Sequence, residues 1–289
     1  MLPRALLFVA AMLCPSLCLT TPLVRGAESQ VDTGSAPAEF VIRPQPGEWN
    51  ADPENVQAVL DSAAAQLAPH LPGRKYAPIL VEPKGGPIVF YQRGPAGEFR
   101  VQLSTGGTYW SQYSFQFAHE LCHIVCGANE KKHRHGWFEE ALCETASLYV
   151  LRSMGREWRV SPPYSNWKSY GRSLEEYAEQ RIEEARLPEG NSPAAWCRDH
   201  AEQLERSATN RELNNVVAGF LLPRFEEEPA RWEALEWLNR AEVTEADGFA
   251  DYLAGWSREA PERHRPWIEG LFALFELERT NQAGNRESD

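Results

Sequence analysis

The stretch Phe115–Cys126, FQFAHELCHIVC, decides how this chain is read. Its apolar residues Phe115, Phe117, Ala118, Leu121, Ile124 and Val125 suit a buried helix. At about 3.6 residues per turn, His119 and His123 stand one turn apart on the same face. Two imidazoles so placed can share one Zn²⁺. Glu120 is rotated by about 100° from His119, beside the metal rather than on it. There it can take a proton from an attacking water and return it to a leaving amine. The spacing arises by chance in roughly one chain in a hundred of this length, so its surroundings have to decide. A helix that carries His-Glu-His among apolar residues needs something to compensate those polar groups, and a metal does so.

A catalytic zinc site takes three protein ligands and keeps one position open. The continuation HExxHxxGxxH fails, because Cys126 and Asn129 stand where Gly and His are required. His133 and His135 lie in the charged stretch NEKKHRHG, residues 129–136, and are expected at the surface or on a rim. The third source is HGWFEEALCETASLYVL, residues 135–151. Its apolar positions make a second amphipathic helix on which Glu140 and Glu144 share a face, one turn apart. Glu140 can bind the metal, while Glu144 bonds the free ring nitrogen of a ligand histidine and fixes its tautomer. Cys122 lies about 100° from His123 around the helix. Cys126 is nearer the histidine face, but such sites are commonly completed from a separate element, so both thiols are expected outside the ligand set.

HELCH followed by WFEEALCETA resembles the gluzincin metallopeptidases, especially the peptidase-MA-like families whose second helix opens W-x-x-E. The resemblance implies that His119, His123 and Glu140 hold one zinc ion. It implies Glu120 as the general base and Glu144 as the acid behind a ligand histidine. Ala141 replaces the family's usual Gly, and the 16 residues between His123 and Glu140 are slightly fewer than in the best-known members. The likeness covers about residues 98–151, roughly a fifth of the chain. It implies a zincin-like fold in which strand 98–104 is the sheet edge. A substrate peptide would lie along Phe99, Val101 and Leu103, held by main-chain hydrogen bonds. In these families a downstream Tyr or His often stabilises the oxyanion, and Tyr149, Tyr164, Tyr170, Tyr177 and His200 are available.

Outward from the motif, residues 53–68 have helical spacing, opened by Asp52 as cap and Pro53 in the first turn. Residues 78–82, 87–91 and 98–104 are short strand-like runs split by Gly and Pro, and the last alternates apolar and polar residues. Beyond Tyr109 helices are expected at 111–127, 136–153, 173–186, 192–207, 210–225, 229–240, 244–257 and 262–279. The expected class is α+β, a small mixed sheet with an active-site helix followed by a mostly helical C-terminal part. The expected divisions are a signal peptide (1–27), a flexible leader (28–45), a catalytic region (46–155), a helical subdomain (156–280) and a disordered tail (281–289). The tryptophans at 196, 232, 237, 256 and 267 sit at helical spacings and are expected in the core.

Residues 1–27 combine Arg4, a long apolar run and no acid, the pattern of a secretory signal. Export predicts a secreted or periplasmic protein, without stable membrane insertion once the signal is cut. Among the cysteines beyond it, a bridge from Cys143 to Cys122 or Cys126 would staple the two metal helices. The 289-residue chain is 43% hydrophobic with a net charge of −12, which fits a globular protein and argues against nucleic acid as a partner. The function expected is a zinc-dependent peptidase acting on peptide or protein substrates. A metal-dependent amidase of cell-wall peptides would use the same site. A non-catalytic binding or scaffold protein with a gluzincin-like domain is the alternative from another class, and the intact Glu120 argues against it.

Overall fold

A computed structural model describes residues 36–129 and 133–278. The signal peptide, the first part of the leader (28–35) and the tail (281–289) lie outside the described residues. The protein is α+β, with a small mixed four-stranded sheet and a predominantly helical remainder.

The chain enters the sheet through β1 (Ile42–Pro44), runs back along α1 (Pro53–Leu67), and continues through β2 (Ile79–Pro83), β3 (Ile88–Val89) and β4 (Phe99–Leu103). Helix α1 starts where expected: the Asp52 carboxylate accepts the Glu54 N–H at 2.8 Å, with Pro53 in the first turn. Its apolar stripe, Val56, Val59, Leu60, Ala63, Ala64 and Leu67, is buried.

Strand order is β1-β2-β4-β3, with β1, β2 and β4 parallel and β3 antiparallel to β4. Two sequence expectations are corrected here. Residues 36–45 are not leader. Ala38 and Ile42 are buried, and β1 pairs with β2 from Ile42↔Ile79 to Pro44↔Val81. Strand β4 is not the sheet edge either. It is bonded on both sides, and Phe99, Val101 and Leu103 point into the core at 3%, 0% and 0% exposure, out of reach of any substrate. The edge beside the motif is β3.

Helix α2 (Trp110–Val125) packs on this sheet and α3 (Gly136–Trp158) packs along α2. Burying the large side chains of the two helices, among them Phe117, Leu121, Phe138 and Leu142, stabilises the fold by about 1.5–3 kcal/mol each. Helix α2 stops at Gly127 and Ala128, which take φ of 102° and 42°. The division placed at 155/156 falls inside α3, and the described residues cluster as one unit. Helix α4 (Tyr170–Glu184) crosses α3 where Gly155 meets Gly171. A Cβ on Gly155 would stand 2.8 Å from the Gly171 carbonyl oxygen.

Helices α5 (Pro193–Arg206), α6 (Arg211–Glu227), α7 (Phe249–Glu259) and α8 (Arg265–Leu274) complete the fold. Residues 229–237 are a 3₁₀ segment rather than the expected α-helix. Helix α7 starts five residues later than expected. Asp247 accepts from the backbone and hydroxyl of Thr244, which winds a turn there, and the Gly248 N–H then bonds Asp251 to start the helix. Trp196, Trp232, Trp237 and Trp256 are buried, and Trp267 packs against the same core. Among the described residues no helix is long and apolar enough to cross a membrane.

Candidate metal centre

Helix α2 presents His119 and His123 toward α3, one turn apart. The Nε2 of His119 lies 3.3 Å from Glu140 Oε2, and the Nε2 of His123 lies 3.5 Å from Glu140 Oε1. One carboxylate therefore meets both rings on the same side. Donor atoms about 2 Å from a tetrahedral ion stand about 3.3 Å apart, so these two separations match that geometry.

The opposite ring nitrogens face other acids. His123 Nδ1 is 2.7 Å from Glu139 Oε1, and the second oxygen of Glu139 accepts from Asn239 Nδ2 at 2.6 Å. Asn239 also donates to the Cys126 carbonyl at 3.0 Å, tying this chain of contacts to the end of α2. His119 Nδ1 is 3.7 Å from Glu144 Oε1, too far for a direct bond. Arg211 Nε, on α6, is 3.3 Å from the same Glu144 oxygen. His119 Nδ1 and Glu144 Oε2 are both buried without a hydrogen bond. The acids thus stand behind both rings and leave each Nε2 turned toward Glu140.

A second donor set overlaps the first. His119, His123 and Cys143 each bring a potential ligand atom within 4.8 Å of the others, so this cluster could hold a metal ion. Cys143 is fully buried, its thiol lies against Cys122, and burial pushes it well above the ordinary thiol range. The described cysteines are all free, so the expected bridge from Cys143 to Cys122 or Cys126 is not formed.

Glu120 is 3% exposed and faces the same space. Burial holds its carboxyl above the ordinary carboxylate range, against the pull of both histidines and of the Val89 backbone. Burial also works against charge on His119 and His123. Glu140 with Glu144 and Glu120 outweighs it at His119, and Glu139 with Glu140 outweighs it at His123, so both imidazoles are raised. Glu140 is correspondingly held far below its usual range, although burial alone would raise it.

These groups open into a cleft of about 400 Å³. Its walls are the β3 segment from Pro87 to Tyr91, helices α2 and α3, and Thr209, Arg211 and Asn214 of the α5–α6 region. The structure thus brings together His119, Glu120, His123, Glu140 and Glu144. It does not bring the other sequence candidates there. Tyr149 is hydrogen-bonded to His70 at 2.9 Å, Tyr170 sits by Ser111 and Thr108, and His200 is stacked on Trp196. Tyr164 is on the surface, and Tyr177 lines a neighbouring pocket. His135 is not a surface residue. It is fully buried against Phe249 and Tyr252, with Nε2 2.8 Å from the Asp247 carbonyl. Sequence reasoning missed Glu139, Asn239, Tyr91 and Arg211. An acidic Glu139 next to Phe138 on a buried helix was the one local signal available.

No family model matches the chain, and no curated protein matches it.

Proposed function

We propose that the protein is a zinc-dependent peptidase of the gluzincin kind, exported by its N-terminal signal, with one zinc held by His119, His123 and Glu140. The observation that carries this reading is the convergence of both Nε2 atoms on a single carboxylate, in a cleft that also holds a buried glutamate. Glu140 is preferred to Cys143 on chemical grounds. It lines the cleft and is kept ionised, whereas Cys143 is a neutral thiol sealed in the core. Ligand groups must be deprotonated.

When bound, zinc supplies a Lewis acid for the scissile carbonyl and brings the pKa of a water toward about 7. The rest falls to the chain. Glu139, bonded to His123 Nδ1, favours the tautomer whose Nε2 lone pair faces the cleft, while Glu144, 3.7 Å from His119 Nδ1, acts on that ring through its charge alone. Glu120, not itself a ligand, takes the proton of the attacking water and hands it to the departing amine. Its burial lifts its proton affinity toward that task. Strand β3 is the outer strand of the antiparallel pair, its Val89 backbone is bonded to Glu120, and an extended peptide can lie along the 87–91 segment beside the cleft.

The test is metal analysis paired with turnover of a quenched peptide library. Wild type and Glu120→Gln should each hold one zinc per chain, and Glu120→Gln should lose about 10²–10⁴-fold in turnover. Glu140→Ala should lose the metal. Equal turnover by Glu120→Gln would falsify the mechanism. Zinc bound with no turnover of any peptide would favour a non-catalytic binding protein.

A further inference from the structure

Beside the metal cleft lies a second pocket of about 230 Å³ that shares Pro87, His119 and Arg211 with it. Its other lining residues are Gln112, Phe115, Gln116, Tyr177 and Arg181, and no carboxylate is among them. That composition is unusual on a chain of net charge −12.

The polar groups of this pocket are almost all donors. Gln112 spends its carbonyl oxygen on the Thr105 hydroxyl and Gln116 spends its own on the Ser104 N–H, which leaves an NH₂ on each. Arg181 is held in place by its surroundings rather than by an acid. Its guanidinium rests 5.0 Å from the centre of the Phe115 ring and 5.7 Å from that of Tyr177. Its Nε is buried without a hydrogen bond, and its ion pair with Glu184 is loose at 3.7 Å. Arg211 contacts Glu144 through Nε, which leaves its terminal nitrogens uncommitted to that acid. Two guanidinium forks and two amide NH₂ groups, with no carboxylate in the lining to match them, fit an acceptor-only ligand that takes bidentate contacts, namely a carboxylate.

We infer that the Arg181–Arg211 pocket is a substrate subsite that selects peptides carrying a carboxylate next to the bond to be cut. This rests on the peptidase reading for the bond, but not for the binding. A strand laid along residues 87–91 passes His119, Glu120 and His123 and reaches the pocket at Pro87. The carboxylate can come from an acidic side chain or from the free C-terminus of a peptide, and the pocket chemistry is the same for both.

The experiment uses three matched peptide mixtures: Asp-containing with amidated C-termini, Asn-containing with free C-termini, and Asn-containing with amidated C-termini. Cleavage by zinc-loaded wild type is measured together with binding to Glu120→Gln protein by fluorescence anisotropy. At least one carboxylate mixture should exceed the neutral one by about tenfold or more, the value of a charge-assisted contact. Arg181→Met, which keeps an apolar stem over Phe115, should erase that ratio, and Arg181→Lys should restore part of it. Arg181 touches no proposed metal ligand, so zinc content should stay at the wild-type level. Equal cleavage of all three mixtures overturns the subsite and leaves the peptidase reading standing. Arg181-dependent binding without any cleavage keeps the subsite and overturns the peptidase reading. Binding that ignores the carboxylate in both assays overturns the subsite.

Discussion

Replacing Glu139 by Gln should weaken zinc binding although Glu139 is not a proposed ligand. Its carboxylate is buried, accepts at 2.7 Å from His123 Nδ1 and at 2.6 Å from Asn239 Nδ2, and has no other acid in its place. A glutamine keeps one acceptor oxygen for His123 but turns an NH₂ toward the Asn239 NH₂. Relief requires Asn239 to flip, which gives up its bond to the Cys126 carbonyl. The variant therefore loses the negative charge that makes His123 a better donor, and it loses one buried hydrogen bond. Removing such a partner costs about 10–100-fold in metal affinity, or about 1.4–2.7 kcal/mol. Glu140→Gln, which alters a ligand, should cost more. Competition against a chromophoric chelator gives the dissociation constants, and thermal melts of the metal-free proteins separate folding from binding. Wild-type zinc affinity in a folded Glu139→Gln protein would show that His123 does not need Glu139, and the reasoning would fail.

Other outcomes follow from the same geometry. Cys143→Ser should retain zinc at wild-type stoichiometry, because the thiol lies outside the cleft. Loss of the metal, with the fold intact by circular dichroism, would make Cys143 the third ligand. Gly155→Ala should destabilise the protein by about 1–3 kcal/mol in denaturant melts, since its methyl would press on the Gly171 carbonyl at the α3–α4 crossing. Glu233 bonds Arg263 and His264, at 2.9 Å to the latter; although burial opposes it, these partners bring its carboxyl down to about 2. A lowered folded value contributes stability above the ordinary carboxylate pKa, which is lost as pH falls from about 4.5 toward 2. Glu233→Gln should therefore be less stable at neutral pH and show a flatter acid dependence across that window.

The parts of the fold legible in the sequence were those set by local spacing. The stripes of α1, α2 and α3 follow from periodicity, and His119, Glu120, His123, Glu140 and Glu144 share a cleft because each sits at a fixed angle on one of two helices. What failed depended on distant partners. Strand β1 is three residues ending in proline, and only its parallel pairing with β2 makes it a strand. The alternation in β4 marks a half-buried strand, and its placement at the sheet edge came from the family resemblance. Alternation cannot distinguish an edge from an interior strand, because strand order is decided by β3 folding back on the far side. Glu139 looked interchangeable with any helical acid until the α2–α3 packing set it against His123. Arg211 reaches the cleft from a helix more than sixty residues beyond Glu144, and no local pattern announces such an approach.

The charges gathered here also bear on what ion the site would prefer. Glu120, Glu139, Glu140 and Glu144 put four carboxyl groups around two imidazoles, and among the described residues the Arg211 guanidinium contacts Glu144. With neutral rings and all acids ionised, negative charge is in excess among these described groups, in a poorly hydrated space. Two remedies are available to the protein. Protons can move onto the histidines and Glu120, which is the direction in which all three are shifted. A divalent cation can instead offset two negative charges while leaving the rings neutral and Glu120 free to take a proton from water. A monovalent ion would leave charge unbalanced, and an apolar ligand would leave the carboxylates unpaired at several kcal/mol each. Two nitrogen donors and one carboxylate favour zinc over the harder magnesium and calcium ions, which prefer all-oxygen shells. On the proposed reading the acids behind the histidines would act twice, holding the rings and making a doubly charged ion the least costly way to fill the space between them.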